Sequence, residues 1–151
     1  MDQDRITELI NKSEITSIVN SYFRALDEKN FDARHFASIF TPQAKVTRPN
    51  GASLIGPGEI SASHEKSFTR FEGSQHVVAG HDISLDGSTA NVRANLIAMH
   101  MWQGSKTDAN IYFFIAGSPV WIMSLKPPAR QRTALLICEI LHWPSDCISV
   151  A

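Results

Sequence analysis

The hydrophobic period of this chain changes near Gly73, and that change constrains the fold more than any other feature. Before it, apolar residues recur at helical spacing; after it, they alternate with polar residues, which is typical of strands. In the longest alternating run, 89–103, one face carries Ala90, Val92, Ala94, Leu96, Ala98, His100 and Trp102. Helices followed by antiparallel strands predict an α+β fold, in which a bent sheet wraps the helices and leaves an apolar pocket.

Three helices are expected in the first half of the chain. The first begins at a Ser13 cap and ends at about Asp27 or Lys29, with one apolar side. Asp32 caps a short second helix, and the Gly56-Pro57-Gly58 loop precedes a third helix over about 59–71.

Most of the predicted strands follow these helices. A short strand is expected over 44–48, with a turn at 49–51. Strands over 75–85 and 89–103 are joined by an Asp86-Gly87 hairpin turn, and three more are expected over 107–116, 120–125 and 133–143. The whole chain, 1–151, is interpreted as one domain.

Composition excludes several classes of protein. With 43% hydrophobic and 19% charged residues, the 151-residue chain is expected to be globular. A net charge of −1 without a basic stripe argues against nucleic acid, and no apolar run is long enough to cross a membrane. The acidic, polar N-terminus does not resemble a signal peptide, so a cytoplasmic location is expected. Cys138 and Cys147 are interpreted as free thiols, although a disulfide between them remains an alternative.

A carboxylate and two imidazoles are the candidate chemical groups. Asp27 ends the apolar side of the first helix, and His76 and His100 lie on later strands. A neutral imidazole can take a proton near pH 7, and a carboxylate can orient it and stabilise the imidazolium. Asp27 would therefore orient His76 as the base, while His100 protonates a leaving hydroxyl or polarises a carbonyl. This set suits elimination, isomerisation or aldol-type ring closure.

Aromatic residues are expected to surround these groups and bind substrate, and we assign this role to Tyr22, Phe23, Phe40, Phe68 and Trp102. His35 and His81 are interpreted as surface residues, and the orientation of His142 is left open. His64, on the third helix, could border the pocket, but a surface position is favoured. The six histidines and two cysteines show no metal-ligand spacing, so no metal is expected. The Gly56-Pro57-Gly58 turn lacks the Gly-Lys-Ser/Thr of a phosphate loop, and no cofactor is expected.

The order of several motifs resembles the SnoaL-like family of the NTF2-like superfamily, over roughly residues 10–116. The motifs are Ala25-Leu26-Asp27, FASIFTPQAKVTRPNG, IGPGEI, SQHVV and DGSTANVRANLIAMH. The resemblance implies a cone of three helices on a strongly curved mixed or antiparallel sheet. It also implies a cofactor-independent lyase or isomerase of the dehydratase or cyclase type, acting on a small hydrophobic oxygenated ring compound such as a polyketide or terpenoid intermediate. Asp27, His76 and His100 match the positions of catalytic residues in family members.

The same resemblance implies a homo-oligomer, dimer or trimer, formed through the outer sheet face. Arg93, Asn95, Ile97 and Met99 would then be partly covered.

The sequence also departs from the family. Leu26 precedes Asp27 where family dehydratases have tyrosine, and the first strand carries Val46 and Thr47 in place of another tyrosine. From about residue 117 the usual motifs give way to GSPVWIMSLKPPARQRTALLICEILHW, a divergent segment that could weaken activity. Two further functions therefore remain open: a non-catalytic binding or assembly module, and the small subunit of a ring-hydroxylating dioxygenase.

Overall fold

A sheet of seven strands and three helices make up the described part of the chain. The computed structural model describes residues 2–48, 51–104, 112–117, 120–124 and 137–139, the last three ranges as backbone. The helices are α1 (Gln3–Asp27), α2 (Ala33–Ile39) and α3 (Gly56–Phe68). The strands are β1 (Lys45–Thr47), β2 (Ser53–Ile55), β3 (Phe71–Asp86), β4 (Thr89–Trp102), β5 (Tyr112–Gly117), β6 (Val120–Ser124) and β7 (Ile137–Glu139). The predicted α+β class is confirmed.

The strand order is β2-β1-β7-β6-β4-β3, and β5 also pairs with β4. β1 and β7 are parallel and the other pairs are antiparallel, so the sheet is mixed. β4 lies at the centre of the sheet. β3 pairs with it along one edge, and its other edge pairs with β6 at residues 89–93 and with β5 at residues 96–101. Register shifts interrupt the pairing of β3 between Phe71 and Gly73 and between Ala79 and Asp82. Such bulges bend a strand and increase its twist.

The predicted face of β4 is confirmed. Ala90, Val92, Ala94, Ala98 and His100 are buried and Leu96 and Trp102 are partly buried, whereas Asn91, Arg93, Asn95, Ile97 and Met99 are exposed. The hairpin turn lies one residue later than predicted, at Gly87-Ser88, because Asp86 pairs with Thr89 and Gly87 takes a φ of 55°.

The predicted start of α1 is wrong, while its predicted end at Asp27 is right. The helix begins at Gln3, and the Asp2 carboxylate accepts a hydrogen bond from the Asp4 backbone at 3.3 Å. Ser13 lies inside the helix, where its carbonyl accepts a bond from the Ser17 hydroxyl at 3.0 Å. The residues before Ser13 include good helix formers, so a single helix continues through a possible cap.

The other helices and the small strands differ less from prediction. Asp32 caps α2 as expected, since its carboxylate accepts hydrogen bonds from the backbones of Arg34 and His35 at 2.9 and 3.0 Å. α3 begins at Gly56 rather than 59, because proline is tolerated in a first helical turn. It ends at Phe68, so the predicted extension to Phe71 is wrong; β2 was not predicted at all.

Some predictions lie outside the described residues. These are the start of the 107–116 strand, most of the 133–143 strand, Cys147 and His142. Among the described helices, none is both long and apolar enough to span a membrane.

Candidate functional site

Asp27 and His76 form a two-point hydrogen-bonded pair. One carboxylate oxygen of Asp27 lies 2.6 Å from His76 Nδ1, and the other accepts the backbone N–H of His76 at 2.9 Å. The side chain of His76 is 5% exposed and that of Asp27 is 25% exposed. Because both oxygens bind the same residue, the carboxylate fixes the strand backbone and the ring together. Nδ1 therefore carries the proton toward Asp27, and Nε2 is the nitrogen able to take a proton from another molecule.

The end of α1 is built to hold Asp27 at this place. The Asn30 N–H donates to the Ala25 carbonyl at 2.8 Å and the Lys29 N–H donates to the Leu26 carbonyl at 3.2 Å. These bonds form a Schellman motif, in which Lys29 takes the left-handed conformation, φ 51°, usually given to glycine. The Lys29 ammonium donates to the Phe71 carbonyl at 2.5 Å. Lys29, which follows the C-cap of α1, is thus hydrogen-bonded to Phe71, the first residue of β3.

Phe68 on α3 lies at the centre of three imidazoles. Its ring centroid is 6.3 Å from that of His76, 5.6 Å from that of His100 and 6.1 Å from that of His64. The His76 and His100 centroids are themselves 5.3 Å apart. The structure therefore brings together all three residues predicted to be catalytic, and it adds His64.

His100 is held in an aromatic environment. Its ring is stacked on Phe71, with centroids 4.4 Å apart and planes 20° apart, and the residue is 5% exposed. Burial lowers the pKa of His100 to about 4, helped by the nearby charges of His76 and Arg70 and opposed by the Asp27 carboxylate. At pH 7 only about one molecule in a thousand would carry a charged His100. The neutral ring can donate a hydrogen bond to an oxygen atom, which favours polarisation over proton delivery.

His64 is half-buried in the aromatic cluster, so the favoured surface position is wrong and the alternative position beside the site is the better one. Its Nε2 lies 2.8 Å from the Tyr22 hydroxyl oxygen, and its ring contacts Phe36 and Phe68. Burial lowers the pKa of His64 to about 3, with further contributions from the charges of Arg48 and His76. The spacing offered a signal, because Ile60, His64 and Phe68 are four residues apart and so share one helical face.

The residues predicted to bind substrate occupy three different places. Phe23 contacts His76, with centroids 5.4 Å apart, and Phe68 is the central ring. Phe40 is 1% exposed and packs on Tyr22, so it supports the Tyr22 ring from the core. Trp102 lies at the His100 end of the cluster, where it contacts Phe71 at 4.9 Å.

His35 and His81 are both half-buried rather than fully on the surface. His81 sits in the second bulge of β3, where burial lowers its pKa. In the described residues, no group of three or more His, Cys, Asp or Glu side chains is placed to hold a metal ion.

Comparison with solved structures identifies the fold of this protein. At 16% identity, an NTF2-like superfamily protein from Salmonella enterica aligns with 85% of this chain and 89% of its own, with a TM-score of 0.68. The fold is therefore NTF2-like. Within that class the chain belongs to the SnoaL-like domain family, whose model matches residues 7–123. A comparison with curated proteins gives no significant match.

Two further structural neighbours are enzymes by name. A protein from Novosphingobium aromaticivorans, provisionally assigned as a scytalone dehydratase, is 17% identical over 97% of this chain and 99% of its own, with a TM-score of 0.71. A hexachlorocyclohexane dehydrochlorinase of type 2 is 10% identical over 91% of this chain and 90% of its own, with a TM-score of 0.72. At such identities these similarities establish the fold alone.

Proposed function

We propose that this protein is a cofactor-independent lyase or isomerase that moves a proton on a small hydrophobic oxygenated ring compound. The observation that carries the proposal is the Asp27–His76 pair, with Nδ1 bound to the carboxylate at 2.6 Å and His100 close by. The dehydratase and dehydrochlorinase names of two neighbours agree with an elimination reaction. A polyketide or terpenoid intermediate is the substrate class we propose, and a cytoplasmic location is part of the proposal.

The arrangement suggests the order of events in a dehydration. His76 Nε2 takes a proton from the carbon next to a carbonyl, and the Asp27 carboxylate stabilises the resulting imidazolium. Neutral His100 donates a hydrogen bond to the carbonyl oxygen as negative charge develops there. The carbon–oxygen bond of the neighbouring hydroxyl then breaks, His76 returns its proton to that oxygen, and water leaves. Returning the proton to a different carbon gives an isomerisation instead.

Proton exchange on a simple ketone tests the base directly. We expect the protein to catalyse exchange of the α-hydrogens of 1-tetralone with deuterated water, followed by NMR, and loss of water from 3-hydroxy-1-tetralone to give 1-naphthol. His76→Gln should remove the exchange. Asp27→Asn should slow it by about 100-fold or more, because the amide leaves the imidazole poorly oriented and its charge unstabilised.

His35→Gln is the matched control, because it makes the same substitution at another half-buried histidine, which lies on α2. It should exchange as fast as the unmodified protein. Equal rates of α-hydrogen exchange in His76→Gln and His35→Gln would contradict the proposed catalytic activity and would favour a non-catalytic binding module.

Assembly into a homo-oligomer is a separate proposal. Three apolar side chains on the outer sheet face support it: Val77 is 47% exposed, Ile97 41% and Met99 37%. Val77 pairs with Ile97, and Gln75 pairs with Met99, so these side chains form one patch across β3 and β4. Exposed patches of this kind mark protein contacts more often than isolated apolar residues do.

A further inference from the structure

We propose that Tyr22 and His64 form a second polar arm of the same site, in which the Tyr22 hydroxyl binds another oxygen of the substrate and His64 positions that hydroxyl. This inference rests on the proposed function, because it assigns a substrate to the site around His76. It places a ligand with two separated oxygen functions on a ring framework, one near His100 and one near Tyr22.

The pair belongs to the same cluster as the dyad. Phe68 packs against both His64 and His76, with centroid distances of 6.1 and 6.3 Å. From the other side, Phe23 contacts Tyr22 at 5.0 Å and His76 at 5.4 Å. One aromatic side chain, Phe68 or Phe23, therefore lies between the Tyr22–His64 pair and the Asp27–His76 pair. The distance between the two pairs is thus comparable to the length of a bicyclic ligand.

Packing alone does not account for the pair. Tyr22 is 6% exposed and lies among Phe23, Phe36 and Phe40, where an apolar ring would fit. A hydrogen bond between two neutral groups contributes only about 1 kcal/mol net, and apolar residues of similar shape often serve stability equally well. A phenol hydroxyl has one donor and two acceptor positions, so it can bond to His64 and to a second oxygen atom at the same time.

The electrostatics keep this arm uncharged. Burial and the charges of Arg48 and His76 hold the pKa of His64 to about 3, so its ring is neutral near pH 7. The guanidinium of Arg48 donates to the Ser67 hydroxyl at 3.2 Å. A neutral imidazole can either accept the phenol proton or donate to the phenol oxygen. The phenol can correspondingly accept a bond from a ligand hydroxyl or donate one to a ligand carbonyl.

A pair of probe ligands tests this arm without a known substrate. 1-Tetralone carries one oxygen, and 6-hydroxy-1-tetralone carries a second oxygen on the opposite side of the ring system. We expect the protein to bind the hydroxylated ketone about fivefold more tightly, as measured by calorimetric or NMR titration. Tyr22→Phe should remove this preference, so that the two ketones bind the variant with equal affinity.

His64 should act through Tyr22. His64→Leu should remove the preference as Tyr22→Phe does, and the double variant should lose no more than either single one. His64→Gln, which can still donate and accept, should restore part of it. A preference that survives in Tyr22→Phe, or failure of both ketones to bind the folded protein, overturns the proposal.

The same ligands separate this proposal from the proposed function. His76→Gln should stop α-hydrogen exchange yet keep the preference for 6-hydroxy-1-tetralone. If α-hydrogen exchange depends on His76 but the preference for 6-hydroxy-1-tetralone is unchanged by the Tyr22 and His64 substitutions, the second arm is refuted and the proposed function stands. A preference that depends on Tyr22 and His64, without any exchange, refutes the enzyme and keeps the arm as part of a binding site.

Discussion

Individual side chains decide what this site can do, and the position of each follows from the geometry of the element that carries it. Asp27 follows Phe23 by four residues, so a buried face brings it to the sheet, and His100 shares an alternating apolar face. For His64 the polarity of the side chain favours the surface, whereas its spacing from Ile60 and Phe68 favours the buried face, and the structure agrees with the spacing. Sequence could not show that Tyr22 lies opposite His64, because residues 42 positions apart meet only through the packing of α1 against α3.

The buried imidazole of His100 predicts a pH dependence of stability. Its pKa is lowered to about 4 in the folded protein, whereas an unfolded histidine titrates near 6.5. Between these values the unfolded chain binds more protons, so the free energy of unfolding should fall as the pH drops from about 6.5 to 4. The slope for this one group approaches about 1.4 kcal/mol per pH unit.

Urea unfolding at pH 8, 6.5 and 5 measures this slope. His100→Phe keeps a ring beside Phe71 and should flatten the dependence, with the largest difference from the unmodified protein at pH 5. His64→Phe should act in the same direction, because its pKa is lowered as well. An unchanged slope in both variants would show that these rings are already solvated.

At the scale of single elements, the start of α3 depends on one glycine. Gly56 has a φ of +77°, and a Cβ built on it would lie 2.8 Å from the carbonyl oxygen of Pro42. Gly56→Ala should therefore destabilise the protein by about 2 kcal/mol, from backbone strain and from the displaced carbonyl. Thermal or urea unfolding measures the loss.

Gly58 provides the matched control in the same helical turn. A Cβ there meets nothing within 4 Å and no positive φ is required. Gly58→Ala should leave stability unchanged or raise it by up to about 1 kcal/mol. Equal effects of the two substitutions would mean that the Gly56-Pro42 approach is not maintained in solution.

The junction between α1 and β3 depends on Lys29. Lys29→Met should lower the free energy of unfolding by about 1 kcal/mol, because it removes the hydrogen bond to the Phe71 carbonyl and keeps the left-handed backbone. Lys29→Gly loses the same bond but relieves a strain of about 1 kcal/mol, so it should unfold near the unmodified protein. If the methionine variant proves as stable as the unmodified protein, the ammonium does not hold the junction.

At the scale of the whole molecule, the hydrophobic pattern predicts the order of helices and strands better than it predicts which strands pair. The change of period gave helices before strands and the buried face of β4, because both follow from local geometry. The parallel pairing of β1 with β7 could not be predicted, since Val46 and Cys138 are brought together only by the complete sheet. β2 was missed because its three residues lie between the turn at 49–51 and the Gly56-Pro57-Gly58 loop, and both of these indicate irregular structure.

The outer sheet face predicts self-association at this scale. Ile97→Lys should convert the proposed homo-oligomer to a monomer, because a charge would be buried in an apolar contact. Leu9→Lys is the control, since Leu9 is 60% exposed on α1, and it should leave the mass unchanged. Light scattering coupled to gel filtration reports both masses, and a monomeric unmodified protein would remove the oligomer proposal.

The place of β7 between β1 and β6 has a consequence for how the protein is made. Among the described strands β7 is the last to leave the ribosome, yet the β1–β2 hairpin reaches the rest of the sheet only through it. We expect a nascent chain that has exposed α1 to β4 to bring Asp27 to His76 already, since their partners lie within that stretch. The β1–β2 hairpin would join the rest of the sheet only after β7 has been synthesised.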